Sequence, residues 1–168
     1  AQKESVTLFD SWDSVANKWE DAVANKVALL LKTREDGSVK RRFVIDLLRA
    51  GVNGHTWIPE RIVLPRIVDF VNAIIDSLKY NNVEEQAKTY HNMELATMDF
   101  ADASYTLWLQ EHARWKLAFG TLQGWAVFAR LCFGMDGAPL IWSRVAAAAC
   151  ELAQAAFEPA ELRIQCYV

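Results

Sequence analysis

The sequence predicts an α+β fold with antiparallel strands, and three features carry that expectation. Apolar residues recur at helical spacing over 8–23 and again over 67–78. Between them, two strand-like runs flank the turn signal Glu35-Asp36-Gly37-Ser38. Near the C-terminus an Ala-rich helical stretch is broken at Glu158-Pro159, and strict alternation follows it. This order of elements is the α+β pattern.

Taken in order, Leu8, Phe9, Trp12, Val15, Trp19 and Val23 read as one amphipathic helix. Val27 to Lys32 and Arg41 to Asp46 read as the arms of a β-hairpin over 27–46 with a loose tip. Residues 50–65, rich in Gly, Asn and Pro, read as loop. Ile67, Val68, Phe70, Val71, Ile74, Ile75 and Leu78 mark a second helix over 66–80, ended by Asn81-Asn82. Glu94 to Asp99 reads as a strand closing on an acid, with a short helix near Ala103–Leu107. Two more strands fall near Lys116–Phe119 and Trp125–Arg130, joined through Gly120 and Gly124. Gly134, Gly137 and Pro139 form a loop, with Pro139 suited to a first helical turn. Leu140 to Phe157 reads as the clearest helix, and Leu162, Ile164, Cys166 and Val168 alternate as a half-buried strand.

A chain of 168 residues is one domain or one lobe of a larger enzyme. Apolar residues make up 52%, with seven Trp and eight Phe, so disorder is excluded as a class and a sizeable core is expected. No apolar run approaches the roughly 18 residues of a membrane span. The polar start Ala1-Gln2-Lys3-Glu4-Ser5 lacks signal-peptide character, and the first residue is not Met, which points to a fragment or a product cut from a polyprotein. Cys132, Cys150 and Cys166 fit neither a zinc pattern nor a disulfide framework and read as reduced thiols of a cytoplasmic or nuclear protein. The net charge of −3 excludes a broadly basic nucleic-acid coat. Distribution says more: Lys32, Arg34, Lys40, Arg41, Arg42 and Arg49 concentrate on the hairpin and just beyond it.

Three segments have the residue types for chemistry. Met98-Asp99-Phe100-Ala101-Asp102-Ala103 sets an acid at the end of a strand and beside a turn, a position suited to a divalent cation; a helix-capping Asp is the plainer alternative. Leu131 to Trp142 contains glycines that let backbone approach a flat ligand, though an ordinary loop before a helix reads the same way. Lys32 through Asp46 carries basic groups on both arms of a hairpin that can close on a triphosphate, where a guanidinium makes bidentate contacts; otherwise it is a solvated face.

Their order and spacing resemble the reverse transcriptase family, most nearly those of gypsy-type LTR retrotransposons and retroviruses. Lys32…Asp36-Gly37-Ser38…Arg42-Phe43-Val44-Ile45-Asp46-Leu47…Arg49…Asn53 resembles the fingers pattern K-x-D-G-S-x-R-x-x-x-D-x-R-x-x-N. Leu64-Pro65-Arg66-Ile67-Val68-Asp69 is similar to L-P-R-I-D-D, and Asp99-Phe100-Ala101-Asp102-Ala103 to the first palm motif. Ala118-Phe119 matches the T-A-F strand, Phe133-Gly134-Met135 through Ala138-Pro139 resembles F-G-L-x-N-A-P, and Gln165-Cys166-Tyr167-Val168 resembles the opening of Y-V-D-D. The likeness runs over residues 25 to 168.

The resemblance implies a right-hand polymerase, with an antiparallel palm sheet packed on helices and incomplete at its C-terminus. Residues 1–98 would hold an N-terminal helix and the fingers, and 99–168 part of the palm. Asp99 would be the catalytic ligand of two Mg2+ ions, completed by an acidic pair after Val168, so that these residues alone would not polymerise. Lys32, Arg34 and Arg42 would hold the deoxynucleoside triphosphate, Asp102, Ala103 and Ser104 would lie under its sugar, and Phe133 and Gly134 would contact nucleotide and template. The implied partners are an RNA/DNA template-primer and the remainder of the polymerase chain, with no membrane. The alternative is a non-enzymatic α+β nucleic-acid-binding or interaction domain, or a decayed retroelement remnant. Four departures stand out. Cys132 replaces the usual Pro, and Asp136-Gly137 the usual polar pair. Ser104 stands where a Tyr or Phe screens the 2′-hydroxyl, with Tyr105 one place later. The segment before Asp99 is long for the family.

Overall fold

A computed structural model describes residues 5–61, 63, 66–80, 94–158 and 161–166. The fold is α+β, and the chain divides into two units, Ala1–Pro59 with Asp102–Ala138 and Glu60–Ala101 with Pro139–Val168. The boundary expected between 98 and 99 falls inside the second unit.

In the first unit the helix expected over 8–23 is replaced by a strand, β1 (Val6–Phe9), and a shorter helix, α1 (Trp12–Lys18). Ser11 caps α1, its Oγ accepting the Ser14 N–H at 3.2 Å, and this local signal stops the helix from extending back through Leu8 and Phe9. Those two residues pair instead with Ala126 and Trp125. The helical spacing survives where the helix does: Val15 is buried, and Trp12 packs against Trp125 with tilted rings, centroids 4.6 Å apart.

The expected hairpin forms from β2 (Ala24–Thr33) and β3 (Val39–Asp46), eight residue pairs in antiparallel register from Lys26↔Asp46 to Thr33↔Val39. Its tip is tight. Gly37 N–H donates to Arg34 O at 3.0 Å, Arg34 N–H donates to Ser38 O at 2.8 Å, and Gly37 sits at φ 79°, a type I turn with a glycine bulge. Hydrogen bonds from the Ser38 side chain and then from the Ser38 N–H, which Oδ1 accepts at 2.8 Å, hold the Asp36 carboxyl below the ordinary value.

β4 (Ala118–Thr121) and β5 (Gly124–Phe128) complete a five-stranded sheet of order β1-β5-β4-β2-β3. The sheet is mixed rather than antiparallel, because Ala24 and Asn25 of β2 run parallel to Ala118 and Phe119 of β4. Asn25 supports this junction, its amide donating to the carbonyls of Val23, Lys116 and Ala118 at 2.8–3.0 Å. Strand alternation sorts the core into two faces. Ala118 and Val127 pack on Val15 of α1, while Phe119, Ala126 and Phe128 pack with Ile45, Leu47, Leu117 and Cys132 on the other side. A 3-10 segment over Glu111–Leu117 takes the place of the first residues of the strand expected from Lys116.

The second unit contains α2 (Ile67–Tyr80) and all but the first residue of α3 (Ala138–Gln154), close to the helices read over 66–80 and 140–157. Asp69 reaches back from the first turn of α2 to the Arg66 N–H at 2.7 Å, in the manner of a capping box. Two expected strands are not formed over their described residues. Glu94 to Asp99 is exposed backbone without ladder pairing. Residues 162–166 also lie outside any ladder; one helical side chain, Gln154, takes two of their backbone groups, its Nε2 donating to Leu162 O at 2.8 Å and its Oε1 accepting the Ile164 N–H at 2.9 Å. A strand needs a partner ladder, and here a helix amide meets the same hydrogen-bonding demand. Tyr167 and Val168, Leu64 and Pro65, and the helix stop at Asn81-Asn82 lie outside the described residues. Among the described residues no helix is long and apolar enough to cross a membrane.

Candidate functional site

The first unit gathers most of the residues singled out in the sequence around the free edge of β3. In the sheet order β3 is an edge strand, and such an edge offers unpaired N–H and C=O groups. The loop after β5 covers it, with Ile45 N–H donating to Phe133 O at 3.1 Å. Gly134 follows at φ 111°, and a Cβ at that position would stand 2.0 Å from Ile45 O. Only glycine fits so close to a backbone carbonyl, which is the physical content of the Phe133-Gly134 pair.

Phe133 is thereby held beside β3. Its ring meets Tyr105 edge-on at 5.5 Å, and the Arg42 guanidinium carbon lies 5.9 Å from its centroid. Behind them Phe43, Phe119 and Phe128 form a mutually contacting wall with centroids 5.1–5.8 Å apart. Tyr105 donates its hydroxyl to Phe43 O at 3.3 Å. Burial raises its phenol above the ordinary value, so it remains a donor. Cys132, at the base of the loop, is buried and its thiol is pushed up to about 12, which makes it packing rather than a nucleophile.

Asp102, Ala103 and Ser104 enter the same neighbourhood from a tight turn. Asp102 has φ 53°, the one positive φ outside glycine among the described residues, and its carbonyl accepts the Tyr105 N–H at 2.8 Å. This left-handed start turns the chain into the 3-10 segment Ala103–Thr106, which presents half-buried Ala103 and Ser104 next to Tyr105. Arg130 fastens the turn by donating to Tyr105 O at 2.9 Å while stacking on Trp108 at 4.1 Å.

The basic hairpin supplies an uncompensated face. Register puts Lys32 opposite Lys40, and Arg42 opposite Leu30, so these three cations share the face turned away from Phe43 and Ile45. Arg34 stands apart from that face, in the turn at the tip. Lys32, Arg34 and Arg42 form no ion pair among the described residues. Like charges directly opposite across a ladder are destabilising by a few tenths of a kcal/mol up to about 1 kcal/mol, a cost that an anionic ligand removes.

Asp99 belongs to the second unit, exposed in the segment before Phe100, whose ring meets Trp142 of α3 at 5.4 Å. Among the described residues no group of three or more His, Cys, Asp or Glu is arranged to hold a metal ion. A lone carboxylate cannot by itself hold two magnesium ions in register.

One participant escaped the sequence reading of roles. Asn53 stood in the fingers pattern without a function; its Nδ2 donates to Gly134 O at 2.8 Å and its Oδ1 accepts the Asp136 N–H at 3.4 Å. The Gly- and Asn-rich composition of residues 50–55 was the available signal, and it reads equally as an ordinary loop. No family model and no curated protein matches the chain.

Proposed function

We propose that the chain is the fingers and the first part of the palm of a reverse transcriptase, an RNA-directed DNA polymerase, and that its first unit holds the incoming deoxynucleoside triphosphate. The observation that supports this reading best is the convergence of Arg42, Phe133, Gly134 and the 103–105 turn on one strand edge. In this reading Arg42 and Lys32 bind the phosphates, with Arg34 near the entrance. Planar, uncompensated guanidinium groups suit that task because a triphosphate must be oriented by several fixed donors. Phe133 and Gly134 present a flat surface to nucleotide and template, and Ala103 and Ser104 receive the sugar. Asp99 is one ligand of the Mg2+ ions. An RNA or DNA template-primer and the remainder of the polymerase chain are the partners.

The test is titration of a fluorescent deoxynucleoside triphosphate with Mg2+ into the chain and its Arg42→Ala variant. Loss of a charge-assisted contact is expected to weaken binding roughly tenfold to a hundredfold. In a longer polypeptide that includes an acidic pair after residue 168, the same change should raise KM for nucleotide or lower kcat, with a much smaller effect on primer–template affinity. Unchanged incorporation kinetics would remove the nucleotide-binding assignment. A second reading, nucleic-acid binding without catalysis, draws on the hairpin itself. Leu29, Leu30 and Leu31 are 56%, 54% and 64% exposed, so both faces of the ribbon are open. Salt-dependent binding of RNA or DNA with no measurable triphosphate binding would favour it.

A further inference from the structure

We infer that Asn53 is a positioning residue for the nucleotide site: it sets the Phe133–Asp136 loop, and through that loop the surface on which the base and sugar rest. This rests on the nucleotide-binding reading above and adds a residue to it. Three of the loop's attachments to the rest of its unit involve Ile45 and Asn53. Phe133 O is held by Ile45 N–H at 3.1 Å, Gly134 is pressed against Ile45 O, and the carboxamide of Asn53 spans Gly134 O and the Asp136 N–H at 2.8 and 3.4 Å. The first two hold the start of the loop to the strand. Asn53 alone of the three reaches Asp136, and it does so with one donor and one acceptor, as a peptide group would. Aspartate in its place keeps the acceptor, loses the donor and turns a negative oxygen toward the Gly134 carbonyl.

Asn53 is itself fixed. Its N–H donates to the carbonyl of buried Leu47 at 3.1 Å, and its carbonyl accepts the Thr56 N–H at 3.0 Å. Next to it, Thr56 Oγ1 donates to Val52 O at 2.9 Å and His55 Nδ1 meets Gly51 O at 2.8 Å. The turn is therefore rigid before any ligand arrives, which is what a supporting residue requires if it is to hold the ligand surface in place. Arg42, by contrast, belongs to β3, where its backbone is placed by pairing with Leu30 of β2 rather than by Asn53.

The test compares the chain with Asn53→Ala and with the isosteric Asn53→Asp, using 2-aminopurine deoxyribonucleoside triphosphate with Mg2+ as probe and inorganic tripolyphosphate as competitor. Both variants should bind the nucleotide about five- to tenfold more weakly, the equivalent of about one lost hydrogen bond. Tripolyphosphate affinity should stay within about twofold, because the phosphate-binding cations are untouched. Hydrogen exchange at the Asp136 amide should quicken in Asn53→Ala, which removes its acceptor, while the melting transition stays cooperative. Asn53→Asp keeps size and shape, so it carries the test if Asn53→Ala melts below the assay temperature. Equal nucleotide affinity, or an equal loss of tripolyphosphate binding, overturns the inference and leaves the nucleotide reading standing. No nucleotide binding by the unaltered chain overturns that reading, and the inference with it.

Discussion

Replacing Gly134 by alanine tests the geometry on which the site depends. The added Cβ would stand 2.0 Å from Ile45 O and 3.1 Å from Ile45 C, both backbone atoms that cannot swing aside. The φ of 111° adds strain for any L side chain, of the order of 1–3 kcal/mol. The loop therefore has to lift off β3. Lifting breaks the bond from Ile45 N–H to Phe133 O and both contacts of Asn53, each worth about 1 kcal/mol or somewhat less at the longer distance. Whichever way the chain relaxes, the loss falls at about 2–4 kcal/mol. Urea unfolding followed by Trp fluorescence measures it, with Gly137→Ala as the control, since nothing lies within 4 Å of a Cβ there. The variant should show a lower midpoint at unchanged slope, and Gly137→Ala should stay within about 0.5 kcal/mol. A loss below about 0.5 kcal/mol for Gly134→Ala would mean that the loop does not sit against β3, and Phe133 would not be held beside that strand.

Three further outcomes follow from the structure. Phe128→Ala, which removes a 4% exposed ring from contact with Phe43, Phe119 and Tyr105, should cost about 3–5 kcal/mol in the same urea assay. With its thiol near pKa 12, Cys132 should resist a thiol reagent at pH 8 until the chain unfolds, while the half-buried Cys150 and Cys166 are modified first, as peptide mass mapping will read. The carboxyls of Asp36, Asp69 and Glu111 are depressed by hydrogen bonds, from Ser38, Arg66 and Lys18 respectively. A depressed carboxyl contributes stability above its unfolded pKa and loses it as pH falls through the folded one, so all three should titrate below model-peptide values by NMR and weaken the fold only on the acid side.

The sequence alone determined the elements whose signals are local. Asp36-Gly37-Ser38 specifies the hairpin turn because a left-handed residue and an Asx hydrogen bond are built into those side chains. Apolar spacing located α2 and α3, since a helix closes its hydrogen bonds within itself. The glycine of Phe133-Gly134 and the basic residues of the hairpin were legible as types suited to a ligand. Tertiary structure decided everything that required a partner. Leu8 and Phe9 carry helical spacing yet become strand, because β5 offers them a ladder. Glu94 to Asp99 and residues 162–166 carry strand composition yet form no ladder, and Gln154 takes the Leu162 carbonyl and the Ile164 N–H of the latter. The parallel contact of β2 with β4 joins residues 94 apart in the chain, Ala24 and Ala118, which no local pattern encodes. The role of Asn53 is of the same kind: an amide in a polar loop is unremarkable until the fold brings Gly134 and Asp136 to its two ends. Strand pairing and side-chain bridging are relations between distant segments, and a sequence states only the capacity of each segment to enter them.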